Sequence, residues 1–199
     1  MTTTPIIPAV PVFPLDDYFV FPGSVTPLHV FETRYRQLMR DLMDSSGRFV
    51  MAPCDPSQAR DPQGGGPALP DLGTLVEIVR SEELEDGRWL VILLALARVA
   101  MVEVASDRLY RKADAQVLPE TEAGAAGPAE AGLREALLAA LRRSADGFGF
   151  AAADTVEIGR LADLLLHTLP LEAAQRRRAF IELDPEARAG LALEWLTPA

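Results

Sequence analysis

The side chains best suited to covalent or metal chemistry are few and scattered along this 199-residue chain. There is one cysteine, Cys54, one lysine, Lys112, and two histidines, His29 and His167, which stand far apart in sequence. A nucleophilic cysteine needs a neighbouring base, and Cys54 has neither a nearby histidine nor a second cysteine. The sequence therefore predicts that Cys54 is a buried structural thiol.

Two short clusters could still place acid–base groups together. His29 and Glu32 could bind a metal or form an acid–base pair, and Asp16-Asp17 could be paired carboxylates. However, His29 is predicted to end a strand and Glu32 to begin a helix, so no single period directs both side chains to one place. We favour a structural histidine at position 29 and a solvated turn at Asp16-Asp17, with the chemical interpretations as alternatives.

The motifs of common nucleotide and metal enzymes are missing from the sequence. It contains no G-x-x-x-x-G-K-[ST], no G-x-G-x-x-G after a strand and no H-E-x-x-H. The glycines of "PQGGGPA" lie in a segment with no helix behind it. We therefore expect no catalytic residues, no bound metal and no cofactor.

Composition restricts the partners and the compartment. The net charge of −10 repels phosphate backbones and disfavours non-specific binding to nucleic acid. A single cysteine suits a reducing compartment, and the N-terminus lacks the basic start and apolar run of a secretory signal. The longest apolar run, "WLVILLALA", is about half of the ~20 residues that a membrane span requires. We expect a soluble cytoplasmic protein that does not bind membranes.

The first half of the chain has the patterns of a sheet. Apolar, β-branched segments predict strands at residues 7–15, 26–31 and 48–54, a long hairpin that turns at Glu85-Asp86-Gly87, and a last strand from Tyr110. Pro22-Gly23 has the residue types of a tight turn. About six strands with one short helix and no βαβ alternation predict an antiparallel, barrel-like sheet.

The predicted helix begins near Phe31, where the apolar residues change to helical spacing. One stripe is expected to be buried, formed by Phe31, Tyr35, Leu38, Met39 and Leu42. Glu32 precedes Arg36 by four residues, the order that favours an ion pair on a helix. Phe31 and Tyr35 are expected to anchor this helix on the sheet.

Composition changes at "PETEAGAAGP", which divides the chain into three predicted parts. Residues 1–118 form the barrel subdomain, residues 119–128 a linker and residues 129–199 a helical bundle. Four helices are expected in the bundle. Pro170 is predicted to open one of them, and Asp184-Pro185 to cap and open the last.

The segment "VPVFPLDDYFVFPGSVTPLHVFETRYRQLM" resembles the opening signature of the Lon protease N-terminal substrate-binding domain. The resemblance extends to "LGTLVEIVRSEELEDGRWLVILLALARVAMVEV" and to the helical end of the chain, so it covers most of the sequence. The residues that match the signature are Phe13, Pro14, Leu15, Phe21, Pro22, Gly23, Pro27, Leu28, His29, Phe31, Glu32, Arg34 and Tyr35.

This resemblance implies a fold and a function. The implied fold is α+β, with an N-terminal PUA-like antiparallel β-barrel that carries one short helix, followed by a C-terminal α-helical bundle. In full-length Lon the ATPase and the Ser–Lys protease follow this domain, and this sequence contains the motifs of neither. The expected function is a non-catalytic module, a stand-alone version of the domain, that recognises unfolded or apolar protein segments, with a separate protease as a further candidate partner.

RNA binding and an enzymatic activity are the alternatives to peptide recognition. PUA-like barrels elsewhere bind RNA, but the acidic balance and the lack of a basic, aromatic-interleaved strand argue against it here. An unrecognised enzyme is disfavoured because no coherent set of nucleophile and base is present.

Most signature residues are expected to be structural, with Glu32 and Arg34 pinning loops through charged hydrogen bonds. The stretch "DDYFVF" lies beside a turn near a predicted sheet edge and is strongly apolar. Tyr18, Phe19 and Phe21 are therefore the predicted peptide contacts, with an ordinary place in the core as the alternative.

Overall fold

A computed structural model describes residues 5–57, 67–119, 128–144 and 156–196 of the chain. The chain divides into two compact units, residues 1–118 and 119–199. Apart from its two end residues, the predicted linker at 119–128 lies outside the described residues, so its character stays a prediction.

The described residues of the first unit form six strands and one helix. They are β1 (Ile6–Asp16), β2 (Val25–Val30), α1 (Thr33–Met43), β3 (Arg48–Cys54), β4 (Leu72–Glu83), β5 (Trp89–Val104) and β6 (Arg111–Val117). Together with the helices of the second unit they confirm the mixed α+β class.

The strands form one sheet in which the hydrogen-bonded pairings return to their starting point. The strand order is β2-β5-β4-β3-β1-β6, and β6 also pairs with β5. Five strands therefore make a closed ring of pairings, and β2 extends it beside β5. The long strand β5 takes part in the ring and also pairs with β2. Its residues 89–94 pair with β2, and its residues 99–104 pair with β6.

The prediction of a wholly antiparallel sheet is wrong at one pair of strands. β1 and β3 run parallel, from Val12 opposite Val50 to Asp16 opposite Cys54. Parallel neighbours need a crossover connection of a dozen or more residues. Here β2 and α1 lie between β1 and β3 in sequence and supply that length, which strand patterns in the sequence did not reveal.

Both faces of the central strands are buried. On β3, Val50 and Ala52 join a cluster that draws on all five ring strands, whereas Phe49 and Met51 join a second cluster that includes α1. Side chains alternate across a strand, so the first cluster fills the ring and the second packs α1 against its outside. Phe13 stacks on Tyr35 in that second cluster, with ring centroids 3.9 Å apart.

Four residues of the predicted helical stripe are buried, and the fifth is not. Tyr35, Leu38, Met39 and Leu42 are 3% exposed or less, but Phe31 is 61% exposed. The expectation that Phe31 anchors the helix is wrong because α1 begins only at Thr33, and the extended backbone of its N-cap, Glu32, turns the preceding residue off the stripe. For the same reason Glu32 forms its ion pair with Arg34, at 2.8 Å, instead of with Arg36.

The described residues of the second unit form four helices: α2 (Pro128–Ser144), α3 (Ile158–Thr168), α4 (Ala173–Ile181) and α5 (Pro185–Leu196). The cap predicted for α5 is confirmed, since Asp184 Oδ1 accepts a hydrogen bond of 2.9 Å from the Glu186 N–H. The start predicted for α4 is wrong. The helix begins three residues after Pro170, where the Gln175 side chain accepts from the N–H of Glu172.

A buried ion pair joins α3 to α5. Arg188 Nε lies 3.0 Å from Asp163 Oδ1, and both side chains are fully buried. Arg188 also donates to the Glu182 carbonyl at 2.7 Å. Removing one partner of such a pair is strongly destabilising, so this contact fixes the two helices together. Within the described ranges, no helix has both the length and the apolar composition to span a membrane.

Candidate functional site

The Pro22-Gly23 turn places β2 beside β5. Gly23 has a φ of +89°, which glycine adopts without strain. The Ser24 N–H donates to the Phe21 carbonyl at 3.1 Å and closes the turn, and the Gly23 N–H donates to the Ala95 carbonyl of β5 at 2.8 Å. The turn prediction is confirmed, and the turn sets the register of β2 on β5.

This register aligns side chains in rows across three strands. Pro27 lies opposite Ile92, which lies opposite Arg80 on β4. His29 lies opposite Leu90, which lies opposite Glu82. The sheet face built from these two rows is called the apolar groove below, after the residue types on β2 and β5.

The apolar groove contains an open cavity of about 420 Å³. Leu90 is 44% exposed on its floor, and Val25 and Phe31 at the two ends of β2 are 55% and 61% exposed. The His29 ring lies 5.9 Å from the Phe31 ring. Isolated exposed apolar side chains are ordinary, but a run of them around a cavity is typical of an interaction surface.

The face of β2 is open, whereas its edge is poorly suited to pairing with another strand. The Ala95 N–H donates to the Ser24 carbonyl. That bond directs the backbone groups of even-numbered β2 residues toward β5 and those of Val25, Pro27 and His29 outward. Proline has no N–H, so the middle of the outer edge lacks a donor. A ligand is therefore expected on the face of the groove.

The signature residues around the start of α1 form a structural cluster. Arg34 donates to Glu32 through Nη2 at 2.8 Å and Nε at 3.1 Å, and its guanidinium lies 4.6 Å from the centre of the Tyr35 ring. Burial raises the pKa of Tyr35 to about 12, against the opposing effect of the Arg34 charge. Because Tyr35 stacks on Phe13, this cluster ties the beginning of the helix to the core.

The three predicted peptide contacts differ in exposure. Phe19 and Phe21 are 7% and 2% exposed, whereas Tyr18 is 38% exposed. Burial takes Phe19 and Phe21 off the accessible surface, which corrects the prediction for those two residues. Their apolar side chains turn into the core, as the alternative reading of this stretch allowed. The peptide contact at Tyr18 stays a prediction.

The chemistry-bearing side chains are not brought together. His29 faces Phe31, and Glu32 is bonded to Arg34. Cys54 is buried, and burial raises the pKa of its thiol to about 11, with the nearby Arg111 charge opposing. In the part of the chain that the structure describes, no three His, Cys, Asp or Glu side chains are grouped to hold a metal ion.

Sequence reasoning missed the residues of the groove on β4 and β5: Arg80, Glu82, Leu90 and Ile92. The run "WLVILLALA" is apolar at every position, which is typical of a strand buried on both faces. Trp89, Val91, Leu93 and Ala95 are buried on one face, whereas Leu90 is exposed on the other. The apolar residues on the second face of this strand were the available signal of a binding surface. From the sequence alone, an exposed apolar face could not be distinguished from a buried one.

Residues 9–198 match the family model of the ATP-dependent protease La (LON) substrate-binding domain. The chain belongs to this family. The match spans nearly the whole chain and confirms the resemblance that the opening signature indicated.

The relatives of this Lon-family chain are much longer than it is. It is 29% identical over 208 residues to Lon protease 2 of Sorangium cellulosum (strain So ce56), covering 96% of this chain and 24% of that protein. It is 26% identical over 192 residues to Lon protease 2 of Myxococcus xanthus, covering 94% of this chain and 23% of that protein. The chain thus spans about a quarter of the length of these curated relatives.

Two solved structures share its fold. The N-terminal domain of Lon protease from the Mycobacterium avium complex superposes with a TM-score of 0.70 at 21% identity, covering 94% of this chain and 97% of that one. The Lon N-terminal domain protein from Xanthomonas campestris gives a TM-score of 0.69 at 24% identity, covering 96% and 100%. The fold is that of a Lon N-terminal domain.

Proposed function

We propose that this chain is a non-catalytic recognition module that binds unfolded or apolar protein segments in the apolar groove. The observation that carries the proposal is the open cavity of about 420 Å³ floored by Leu90 and Ile92, directly beside the Lon signature on β2. Membership in a substrate-binding family supports it. The buried thiol of Cys54, with its raised pKa, is unsuited to act as a nucleophile.

The size of the groove indicates weak, transient binding. Fully burying one large apolar side chain gains about 1.5–3 kcal/mol, and association costs several kcal/mol of lost freedom. A cavity of about 420 Å³ is small for a binding site and has room for only a few large side chains. We therefore expect dissociation constants in the micromolar to millimolar range.

We interpret the closed ring of five strands as the PUA-like barrel that the family resemblance implied, and we propose a protein ligand for it instead of RNA. Arg80 is the only Arg or Lys on the two rows of the groove, and Glu82 lies next to it. A surface that binds RNA through phosphates needs clustered basic side chains. A filter-binding titration with single-stranded RNA at low salt is expected to show no retention.

The proposal is tested by fluorescence anisotropy with labelled, unstructured peptides that carry Leu and Phe. We expect Leu90→Asp and Ile92→Asp to weaken binding about tenfold or more, because each places a charge where an apolar side chain would be buried. Val102→Asp is the matched control. Val102 is 72% exposed on the same strand, β5, but lies outside the groove, so binding should be unchanged.

Circular dichroism of each variant establishes that it is folded. Binding of all three variants with wild-type affinity would exclude the groove as the site. The absence of binding by the wild-type chain to any apolar peptide or to a reduced, unfolded protein would exclude the function itself.

A further inference from the structure

Two charges of opposite sign lie side by side on the rim of the apolar groove. Arg80 is exposed opposite Ile92, and Glu82 is exposed opposite Leu90. We propose that Arg80 and Glu82 make the groove selective for extended segments that carry, beside their apolar residues, one acidic and one basic side chain two positions apart. This inference rests on the proposed function and adds the chemical class of segment preferred.

Arg80 differs from most basic side chains of the first unit because, among the described residues, no carboxylate pairs with it. Most basic side chains of the first unit are paired with a carboxylate, as in Arg34–Glu32, Arg40–Glu83, Arg48–Glu77, Arg88–Asp86, Arg108–Asp41, Arg111–Glu103 and Lys112–Asp107. Across the described residues, neither Arg80 nor Glu82 has an ion-pair or hydrogen-bond partner for its side chain, and they do not pair with each other. Both charges are therefore available to a ligand.

The spacing of these two charges matches an extended chain. Residues two apart on a strand point to the same face about 6–7 Å from each other. Cross-strand neighbours lie about 4.5–5.5 Å apart, so each charge is next to the apolar residue of its own row. An extended segment that lies along β5 points every second side chain toward the groove. The spacing of those side chains equals the spacing between the two rows. An acidic side chain can then meet Arg80 while a basic one, two positions away, meets Glu82.

The sign pattern decides which segments benefit. A segment with two acidic or two basic side chains gains one attraction and suffers one repulsion, and these nearly cancel. A segment with one of each gains two attractions. Exposed ion pairs are each weak, so we expect the mixed segment to bind roughly twofold to twentyfold more tightly than either like-charged segment at low salt.

The test uses the full chain and three labelled peptides with one shared apolar core. The peptides carry Glu and Arg two positions apart, Glu at both positions, or Arg at both positions. Wild type should prefer the mixed peptide, Arg80→Glu should prefer the two-Arg peptide, and Glu82→Arg should prefer the two-Glu peptide. These preferences should fade near 1 M salt, where the screening length falls to about 3 Å.

Matched charge changes outside the first unit provide the control. Arg142→Glu and Glu135→Arg alter exposed positions on α2 by the same net charge, and they should leave the wild-type order intact. If Arg80→Glu and Glu82→Arg also keep the wild-type order while peptides still bind, the charge selectivity is refuted and the peptide-binding function stands. If no peptide binds to wild type at all, both are refuted.

Discussion

Phe31 and Tyr35 stand four residues apart at helical spacing, yet only Tyr35 is buried. Tyr35 is 2% exposed and stacks on Phe13, whereas Phe31 is 61% exposed and contacts the His29 ring. Truncating Phe31 should therefore change the free energy of unfolding little, because an exposed aromatic ring makes few contacts with the core. The place of Phe31 at the end of the apolar groove makes it a candidate ligand contact instead.

We expect Phe31→Ala to change the free energy of unfolding by less than about 1 kcal/mol, because most of its side chain is already in water. Phe49→Ala is the matched comparison. Phe49 is fully buried, so its truncation should cost about 3–5 kcal/mol. Urea unfolding of both variants measures the difference, and a loss of several kcal/mol in Phe31→Ala would show that the exposed placement is wrong.

At the scale of elements, Gly73 on β4 lies against β3 with no room for a side chain. A Cβ at this position would lie 2.5 Å from Val50 Cγ1 and 2.9 Å from the Met51 carbonyl oxygen. The Met51 carbonyl oxygen is a backbone atom and cannot move without shifting β3. The ring of strands therefore depends on a missing side chain at this point.

Gly73→Ala should destabilise the protein by about 1–3 kcal/mol or more, because the added methyl group forces the two strands apart. Gly132→Ala is the control with the same chemical change. Gly132 lies on α2 with nothing within 4 Å of its added Cβ, so the variant should gain up to about 1 kcal/mol of helix propensity. Denaturant midpoints of the two variants should move in opposite directions, and equal shifts would contradict this account.

At the scale of the whole molecule, burial of neutral acids couples folding to pH. Burial raises the pKa of Cys54 to about 11 and that of Tyr35 to about 12. In the unfolded chain these groups titrate near their ordinary values of about 8.5 and 10. Between the unfolded and folded pKa values, the folded state holds protons that the unfolded state has lost. Stability therefore falls as pH rises through this window.

We expect the free energy of unfolding to be nearly constant from pH 7 to about 8.5, and to fall progressively between about pH 9 and 12. Urea titrations at several pH values measure this profile. Cys54→Ala removes the buried thiol, so its profile should fall less between about pH 9 and 11 than that of wild type. Identical slopes for the two proteins would show that the thiol does not contribute.

Local patterns in the sequence were sufficient for the features that depend on near neighbours. The turn at Pro22-Gly23, the α1 stripe from Tyr35 to Leu42 and the cap at Asp184 depend on neighbours a few residues away. Proline geometry, helical period and side-chain capping act over that range, so they could be recognised without the fold. The Lon signature also lies in one continuous segment, which is why it identified the family.

The apolar groove was not accessible to the same reasoning. The run of residues 89–97 indicates a strand, but which of its faces stays open depends on β2, β4 and α1, all of which are distant in sequence. The parallel pairing of β1 with β3 and the rows that bring Arg80 and Glu82 beside Ile92 and Leu90 are likewise set by strand register.

The sequence by itself determined most of the elements of this protein and its family. The tertiary structure decided which apolar residues form the core and which form an open surface. The physical reason is that the hydrophobic effect has no direction along the chain, so burial is settled only when distant strands pair and cover one face in preference to the other.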